Sequence, residues 1–127
     1  MSNISPLVAQ AYLKLIHFDL CIMRGRFTLL HQRVRDCRVA PTMPSEGTIE
    51  MICSSVDMAC IWYWKEVLCL QRSAVITCLL RHRGVPAAMI IGAQQSPFKA
   101  HAWVEVNGNI VNDKSYMREM YSVLEKC

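Results

Sequence analysis

The chain has 127 residues, of which 53% are apolar and 19% charged, and its formal net charge is +4. This length suits one domain with a true hydrophobic core, and this composition excludes a disordered chain. Charged residues such as Lys14, Asp19 and Lys65 interrupt the apolar windows, so none reaches the roughly 18 apolar residues of a membrane span. The N-terminus lacks the basic region and cleavage site of a signal peptide. We therefore expect a cytoplasmic protein with no membrane span.

The cysteines indicate the same compartment. They are odd in number and form no Cys-x-x-Cys pair, which is unlike a disulfide framework. Most should behave as small buried apolar side chains. The seven positions are Cys21, Cys37, Cys53, Cys60, Cys69, Cys78 and Cys127.

Helical periodicity dominates the first half of the chain. An amphipathic helix is predicted for residues 6–23 from the apolar stripe Leu7, Ala11, Leu15, Phe18 and Ile22. A second, more polar helix is predicted for residues 27–38. Pro41 and Pro44 then favour an extended connection. Ser45 is the predicted N-cap of a third helix, whose apolar face begins at Ile49.

A group of five arginines carries much of the positive charge: Arg24, Arg26, Arg33, Arg35 and Arg38. No aromatic or glycine-rich pattern accompanies them, so the sequence indicates no nucleic-acid partner. Two interpretations stay open. One is a solvated helix face, which is the common role of a charge run. The other is a docking surface for an acidic peptide or protein.

The second half predicts a buried helix followed by a small sheet. The helix begins at Cys69, is apolar nearly all round, and ends where Gly84 favours a left-handed conformation. Strands are predicted for residues 87–92 and 100–106, with a polar loop over 93–99. Asn107-Gly108 predicts a hairpin. Residues 116–127 have helical periodicity.

Three residues of this half suggest thiol catalysis. A cysteine attacks as its thiolate, and the start of a helix stabilises that anion through the dipole and the free amides. Cys69 is the one cysteine that begins a predicted helix. His101 on a strand could act as its base, and Asp113 on the next strand could orient the histidine.

The hairpin sets a condition on this triad. With a two-residue loop at Asn107-Gly108, His101 and Asp113 would point to opposite faces of the sheet. With a three-residue loop that includes Val106, the two side chains would lie opposite each other on one face. The triad therefore predicts the longer loop, with Gly108 in a left-handed conformation.

Simpler interpretations of the same residues exist. A buried histidine is usually structural, and three such residues spread over 45 positions can arise by chance. Cys78 and His82 are one helical turn apart and could bind a metal. No second pair has ligand spacing, so we expect neither a zinc site nor a cofactor.

Five segments of the second half together form a recognisable pattern. They read CLQRS over residues 69–73, LLRHRGVPA over 79–87, IG over 91–92, PFKAHAWVEVNG over 97–108 and VND over 111–113. This pattern resembles the leader peptidases of lasso peptide biosynthesis, a family of transglutaminase-like cysteine proteases. The resemblance covers about half the chain, and the block around His101 is the most specific. It implies an α+β fold with a papain-like, transglutaminase-like core. In that fold N-terminal helices precede a central helix that starts at the catalytic cysteine, and a small antiparallel sheet carries the histidine and the acid. We expect one domain over residues 1–127, with a helical part over 1–66 and a catalytic core over 67–127.

The resemblance also implies a reaction and partners. Cys69 would be the nucleophile, His101 the base and Asp113 the orienting acid in removing the leader of a ribosomally synthesised precursor. The Cys69 amide and one further donor would hold the oxyanion. The residues before Cys69 look unlike a fused leader-recognition domain, which implies the stand-alone form. Such a form would need a separate recognition protein, and a macrolactam synthetase would use the freed amine. The alternatives are a transglutaminase-like acyltransferase and a non-catalytic peptide-binding module.

Overall fold

Helices form the first part of the molecule and an antiparallel sheet the second. The computed structural model describes residues 5–95 and 98–127, and within them nine elements follow one another. These are α1 (Ser5–Met23), α2 (Phe27–Asp36), α3 (Thr48–Trp62), α4 (Cys69–His82), β1 (Ala87–Gln95), β2 (Phe98–Val106), β3 (Asn109–Ile110), α5 (Met117–Met120) and β4 (Ser122–Lys126). The predicted α+β architecture is confirmed.

The sheet has the strand order β3-β2-β1-β4, and every neighbouring pair is antiparallel. β1 and β2 pair from Ala87 opposite Val106 to Gln95 opposite Phe98. These strands are longer than predicted, because most of the expected polar loop over 93–99 continues the ladder. Ser96 and Pro97 lie outside the described residues.

α4 lies at the centre of the hydrophobic core. Its residues from Ser73 to Leu80 are all buried, and it packs against α1, α3 and the face of the sheet formed by β1 and β2. At its C-terminal end Gly84 takes φ +86°, and the Val85 amide donates to the Leu80 carbonyl at 3.0 Å. This is the Schellman arrangement that Gly84 predicted.

α1 contributes one long apolar stripe to the same core. Leu7, Leu15 and Phe18 on this stripe are buried. By length and composition α1 is also able to cross a membrane, a property that core helices share, and 33% of that stretch is buried. Asp19 on α1 is buried as well. Its carboxylate accepts a hydrogen bond from the Tyr63 hydroxyl at 2.6 Å and pairs with Lys65 at 2.9 Å.

The predicted N-cap of the third helix was wrong. Helix α3 begins at Thr48 with Gly47 before it at φ +83°, whereas Ser45 was the predicted N-cap. Ser45 lies three residues before the start of α3, and its hydroxyl shares a hydrogen bond with the Thr48 hydroxyl at 3.0 Å.

The C-terminal tail was predicted as a helix and is mostly a strand. It makes one helical turn, α5, and then pairs with β1 as β4. The free edge of β1 offers a row of backbone donors and acceptors to this segment. Such non-local pairing overrides a local helical pattern.

Candidate active site

Cys69 is the first residue of α4 and is half-buried. Leu68 before it is extended, with φ −75° and ψ 152°. The Leu68 amide donates to the side chain of Gln71 at 3.4 Å, and Gln71 in turn donates to the Leu15 carbonyl at 2.8 Å. The buried Gln71 therefore fixes the start of the helix against α1. The first amides of α4, including that of Cys69, have no acceptor within the helix and are available to an anion.

His101 and Asp113 lie in direct contact. The Nε2 atom of His101 is 2.5 Å from Oδ2 of Asp113, and both side chains are mostly buried. The Lys114 amide donates to the other Asp113 oxygen at 2.8 Å. Burial is the largest influence on the pKa of Asp113 and opposes its ionisation. The hydrogen bonds from His101 and Lys114, with the charges of His101 and Arg72, outweigh burial and hold that pKa below its usual value.

The contact arises in a way that the sequence did not predict. The hairpin loop has two residues, since Val106 pairs with Asn109 and Glu105 with Ile110. Asn107 and Gly108 both take positive φ, at 53° and 82°. The predicted three-residue loop was therefore wrong. So was the condition attached to it, because His101 and Asp113 meet although the turn has no extra residue.

His101 and Asp113 can meet because the regular pairing of β2 with β3 ends within two residues after Ile110. The Val111 amide still donates to the Val104 carbonyl at 3.0 Å. The Val104 amide, however, donates to the side chain of Asn112 at 2.8 Å. A side-chain carbonyl thus occupies the place of the next backbone acceptor, and the backbone bends. Alternation of side chains between the faces ends there, so Asp113 is free to approach His101. Sequence analysis missed Asn112, although its place immediately before Asp113 was the available signal.

Asn112 also connects this bend to α4. Its amide nitrogen donates to the Ser73 hydroxyl at 3.5 Å. Ser73 lies four residues after Cys69 and thus one turn away on the same helix face. The charge of Arg72 in the same turn acts on Asp113. The His101–Asp113 pair therefore lies beside the first turns of α4. No hydrogen bond joins Cys69 to either residue among residues 5–95 and 98–127.

A comparison with protein families matches residues 13–126 to the transglutaminase-like superfamily. The chain belongs to the transglutaminase-like superfamily. The match includes both the helices and the sheet, and all three predicted residues lie within it.

One relative gives a more specific similarity than the superfamily match does. The chain is 39% identical over 56 residues to the microcin J25-processing protein McjB of Escherichia coli. The aligned part is 44% of this chain and 27% of that protein. The chain therefore spans about a quarter of the relative's length. No solved structure gives a significant match.

The histidine of this transglutaminase-like chain is enclosed by aromatic rings. Its ring centre is 5.5 Å from that of Tyr121 on the segment before β4 and 6.1 Å from that of Trp103. Gly92, directly opposite His101 on β1, makes room for them. A Cβ atom at this position would lie 2.8 Å from the Tyr121 Cβ and 2.9 Å from the Trp103 ring. The sequence analysis assigned neither Tyr121 nor Gly92 a role at this site.

Behind the rings lies a buried carboxylate. Arg118 donates to Glu105 through two nitrogens, at 2.6 and 2.8 Å, and the Trp103 indole donates at 2.9 Å. The hydrogen bonds from Arg118 lower the pKa of Glu105 more than its burial raises it. This network closes the face of β2 that carries His101 and restricts the tryptophan beside it.

The other thiols have different surroundings. Burial raises the pKa of Cys53 to about 11 and also raises that of Cys60. A hydrogen bond from Cys78 lowers the pKa of Cys37. Cys78, suggested above as a metal ligand with His82, thus interacts with Cys37. In the described ranges, one group combines three metal-binding side chains, and it consists of His31, Glu125 and Cys127.

Proposed function

We propose that this chain is a cysteine peptidase that removes the leader from a ribosomally synthesised lasso peptide precursor. Cys69 is the nucleophile, His101 the general base and Asp113 the residue that orients it. The observation that carries the proposal is the His101–Asp113 pair at 2.5 Å, beside the first turns of the helix that begins with Cys69. A thiol at a helix start and a carboxylate-bound imidazole are the parts that thiol catalysis needs.

The geometry suggests a defined proton path. Ionised Asp113 accepts the Nε2–H of His101, which leaves Nδ1 as the basic nitrogen. His101 removes the proton of Cys69, and the sulfur attacks the carbonyl carbon of the scissile amide. The oxyanion forms at the start of α4, where the Cys69 amide can donate to it. His101 then protonates the leaving amine, and a water molecule hydrolyses the thioester to a carboxylic acid and regenerates the thiol.

The substrate class rests on two similarities. The block around His101 resembles lasso leader peptidases, and the Escherichia coli relative processes microcin J25 by its name. We expect a separate leader-recognition protein to hold the precursor and a macrolactam synthetase to use the new amine. The reaction would take place in the cytoplasm.

The decisive experiment is cleavage of a candidate precursor, followed by mass spectrometry, with and without the recognition protein. Wild-type chain should release the leader, and Cys69→Ala should release none. Cys60→Ala is the matched control, because Cys60 is also half-buried but lies in the last turns of α3. Full activity of Cys69→Ala would overturn the proposal and favour a non-catalytic binding module.

The same reaction separates hydrolysis from acyl transfer. An added primary amine that appears covalently on the leader's new end, in place of the free acid, would favour a transglutaminase-like acyltransferase. Thiol labelling alone is a weaker test, because the lowered pKa of Cys37 also favours the reaction of this second thiol with iodoacetamide. Labelling is therefore best done in a Cys37→Ala background.

A further inference from the structure

One group of side chains outside the candidate active site has the composition of a metal site. Helix α2 presents His31, and strand β4 presents Glu125 and, just beyond its end, Cys127. The Nδ1 atom of His31 is 3.3 Å from Oε1 of Glu125. The ligand atoms of all three residues lie within 4.8 Å of one another. His31 and Cys127, the two ends of the set, are 96 positions apart in the sequence, so only the fold brings the three residues together.

Periodicity explains why they converge. Glu125 and Cys127 are two residues apart on an extended segment and therefore point to the same side. His31 and Arg35 are four residues apart on α2 and share a helix face. Arg35 donates to the second oxygen of Glu125 at 3.0 Å. The carboxylate is thus oriented with Oε1 toward His31 and the thiol.

The backbone of Cys127 is held firmly. Its amide donates to the Met89 carbonyl at 2.8 Å, and its carbonyl accepts from the Met89 amide at 3.2 Å. The same carbonyl accepts from Arg81 at 2.9 Å. Three hydrogen bonds therefore place this thiol against α2, where the imidazole and carboxylate already meet.

We propose that His31, Glu125 and Cys127 bind a zinc ion, with water as the fourth ligand. Imidazole, carboxylate and thiolate are the ligand types of zinc. Tetrahedral zinc, with bonds of about 2.0–2.3 Å, needs ligand atoms roughly 3.3–3.8 Å apart. The 3.3 Å between His31 and Glu125 already fits this spacing. The thiol must move by about an ångström at most.

The charges of the bound state balance. The thiol of Cys127 releases its proton to solvent as zinc binds, so a thiolate and a carboxylate neutralise the two positive charges. Two arginines lie close by and would repel a bare cation. Arg35 is paired with Glu125, and Arg81 is bonded to four backbone carbonyls.

The site would join α2 to β4, which is the strand at one edge of the sheet. Bound zinc should therefore stabilise the attachment of the C-terminal strand. This role is independent of Cys69 and of the peptidase reaction proposed above.

The test is zinc titration of the metal-free chain in competition with a chromophoric chelator. Cys127→Ala and His31→Ala should each weaken zinc binding by about a hundredfold or more, since removal even of a supporting residue costs 10–100-fold. Cys60→Ala and His17→Ala are the matched controls, a half-buried cysteine and a surface histidine away from the cluster. Both controls, and Cys69→Ala, should bind zinc as the wild type does.

Cobalt gives a second readout that does not depend on affinity. Wild-type chain with Co²⁺ should show thiolate-to-cobalt charge-transfer absorption, and this band should vanish in Cys127→Ala and persist in Cys69→Ala. Thermal melts should show stabilisation by zinc in the wild type and none in Glu125→Gln. Unchanged zinc affinity in Cys127→Ala, or a cobalt band that is lost only in Cys69→Ala, would overturn the proposal.

Discussion

At the scale of single residues, Asp113 shows how one carboxylate can set the chemistry of a histidine. Its contact with His101 fixes the Nε2–H tautomer in the proposed mechanism. Asp113→Asn keeps the size of the side chain but cannot stabilise an imidazolium. We expect the rate of leader release to fall by about 10³–10⁴-fold, while circular dichroism stays unchanged. Asp36→Asn, which changes an exposed aspartate at the end of α2, is the control. A loss of less than tenfold in Asp113→Asn would argue against an orienting role for Asp113.

Asn112 is expected to act through Asp113. Its side chain accepts a hydrogen bond from the Val104 amide at 2.8 Å and donates one to the Ser73 hydroxyl at 3.5 Å. These two hydrogen bonds hold the backbone bend before Asp113. Asn112→Ala should lower kcat with little change in KM, because the base is displaced but the peptide surface is not. Steady-state kinetics on the precursor would measure both values. A rise in KM at constant kcat would instead place Asn112 in peptide binding.

Gly92 is a third position where a single added atom, a Cβ, should change the stability of the fold. A Cβ there would lie 2.8 Å from the Tyr121 Cβ, which is close to the backbone and cannot swing away. Gly92→Ala should therefore destabilise the fold by about 1–3 kcal/mol through overpacking. The shift of the urea midpoint between the wild type and Gly92→Ala measures this destabilisation. Ala100→Ser, at an exposed position on the neighbouring strand, should leave the midpoint unchanged.

At the scale of elements, Arg81 connects α4 to three other segments. Its guanidinium donates to the carbonyls of Val34 and Cys37 at the end of α2, of Ala87 in β1, and of Cys127, at 2.7 to 3.2 Å. The end of α2 thus gains the donors that its last carbonyls lack. A lysine cannot form this planar set of bonds.

Arg81→Lys should lower the free energy of unfolding by about 2–4 kcal/mol, because several carbonyls lose a charged donor. Chemical denaturation of the two proteins measures the difference. Arg83→Lys is the matched control, since Arg83 is an exposed arginine two residues later. Equal stability of the two variants would show that water replaces the lost bonds.

At the scale of the whole molecule, two carboxylates should make stability depend on pH, the buried Glu105 and the half-buried Asp113. Glu105 and Asp113 both have lowered pKa values in the folded chain, from ordinary values of 4.5 and 3.8. A lowered pKa means that the folded state favours the charged form. The stabilisation is thus complete above about pH 5 and is lost as the pH falls through the unfolded pKa toward the folded one. The urea midpoint of unfolding should therefore fall as the pH is lowered from 7 to 3.

Glu105→Gln provides the comparison. It should be less stable than the wild type at pH 7, because Arg118 and Trp103 lose an anionic acceptor. It should also lose less stability on acidification, since one of the two carboxylates is gone. Parallel pH profiles for the two proteins would show that Glu105 does not contribute to acid sensitivity.

Much of the architecture was predictable because its signals are local. The 3.6-residue period gave α1 and α3, and the all-round apolar run beginning at Cys69 gave the central helix. Glycine lacks a Cβ atom and asparagine tolerates the left-handed region, and Gly84, Asn107 and Gly108 all take positive φ in the structure. Apart from the N-cap of α3, the predictions that failed concern pairing across the chain: the strand β4, the length of β1, and the number of residues in the hairpin loop.

The sequence by itself determined that α4 begins at Cys69, that the hairpin turns at Asn107, and that the chain resembles a transglutaminase-like peptidase. Each of these depends on neighbouring residues or on a recognisable block. Only the tertiary structure decided that Asp113 reaches His101, because the Asn112 side chain takes a backbone hydrogen bond and ends the alternation of the strand. It also decided that Cys127 meets His31, since the free edge of β1 recruits the tail. The catalytic roles of Cys69, His101 and Asp113 stay predictions, and the single-residue variants above test them.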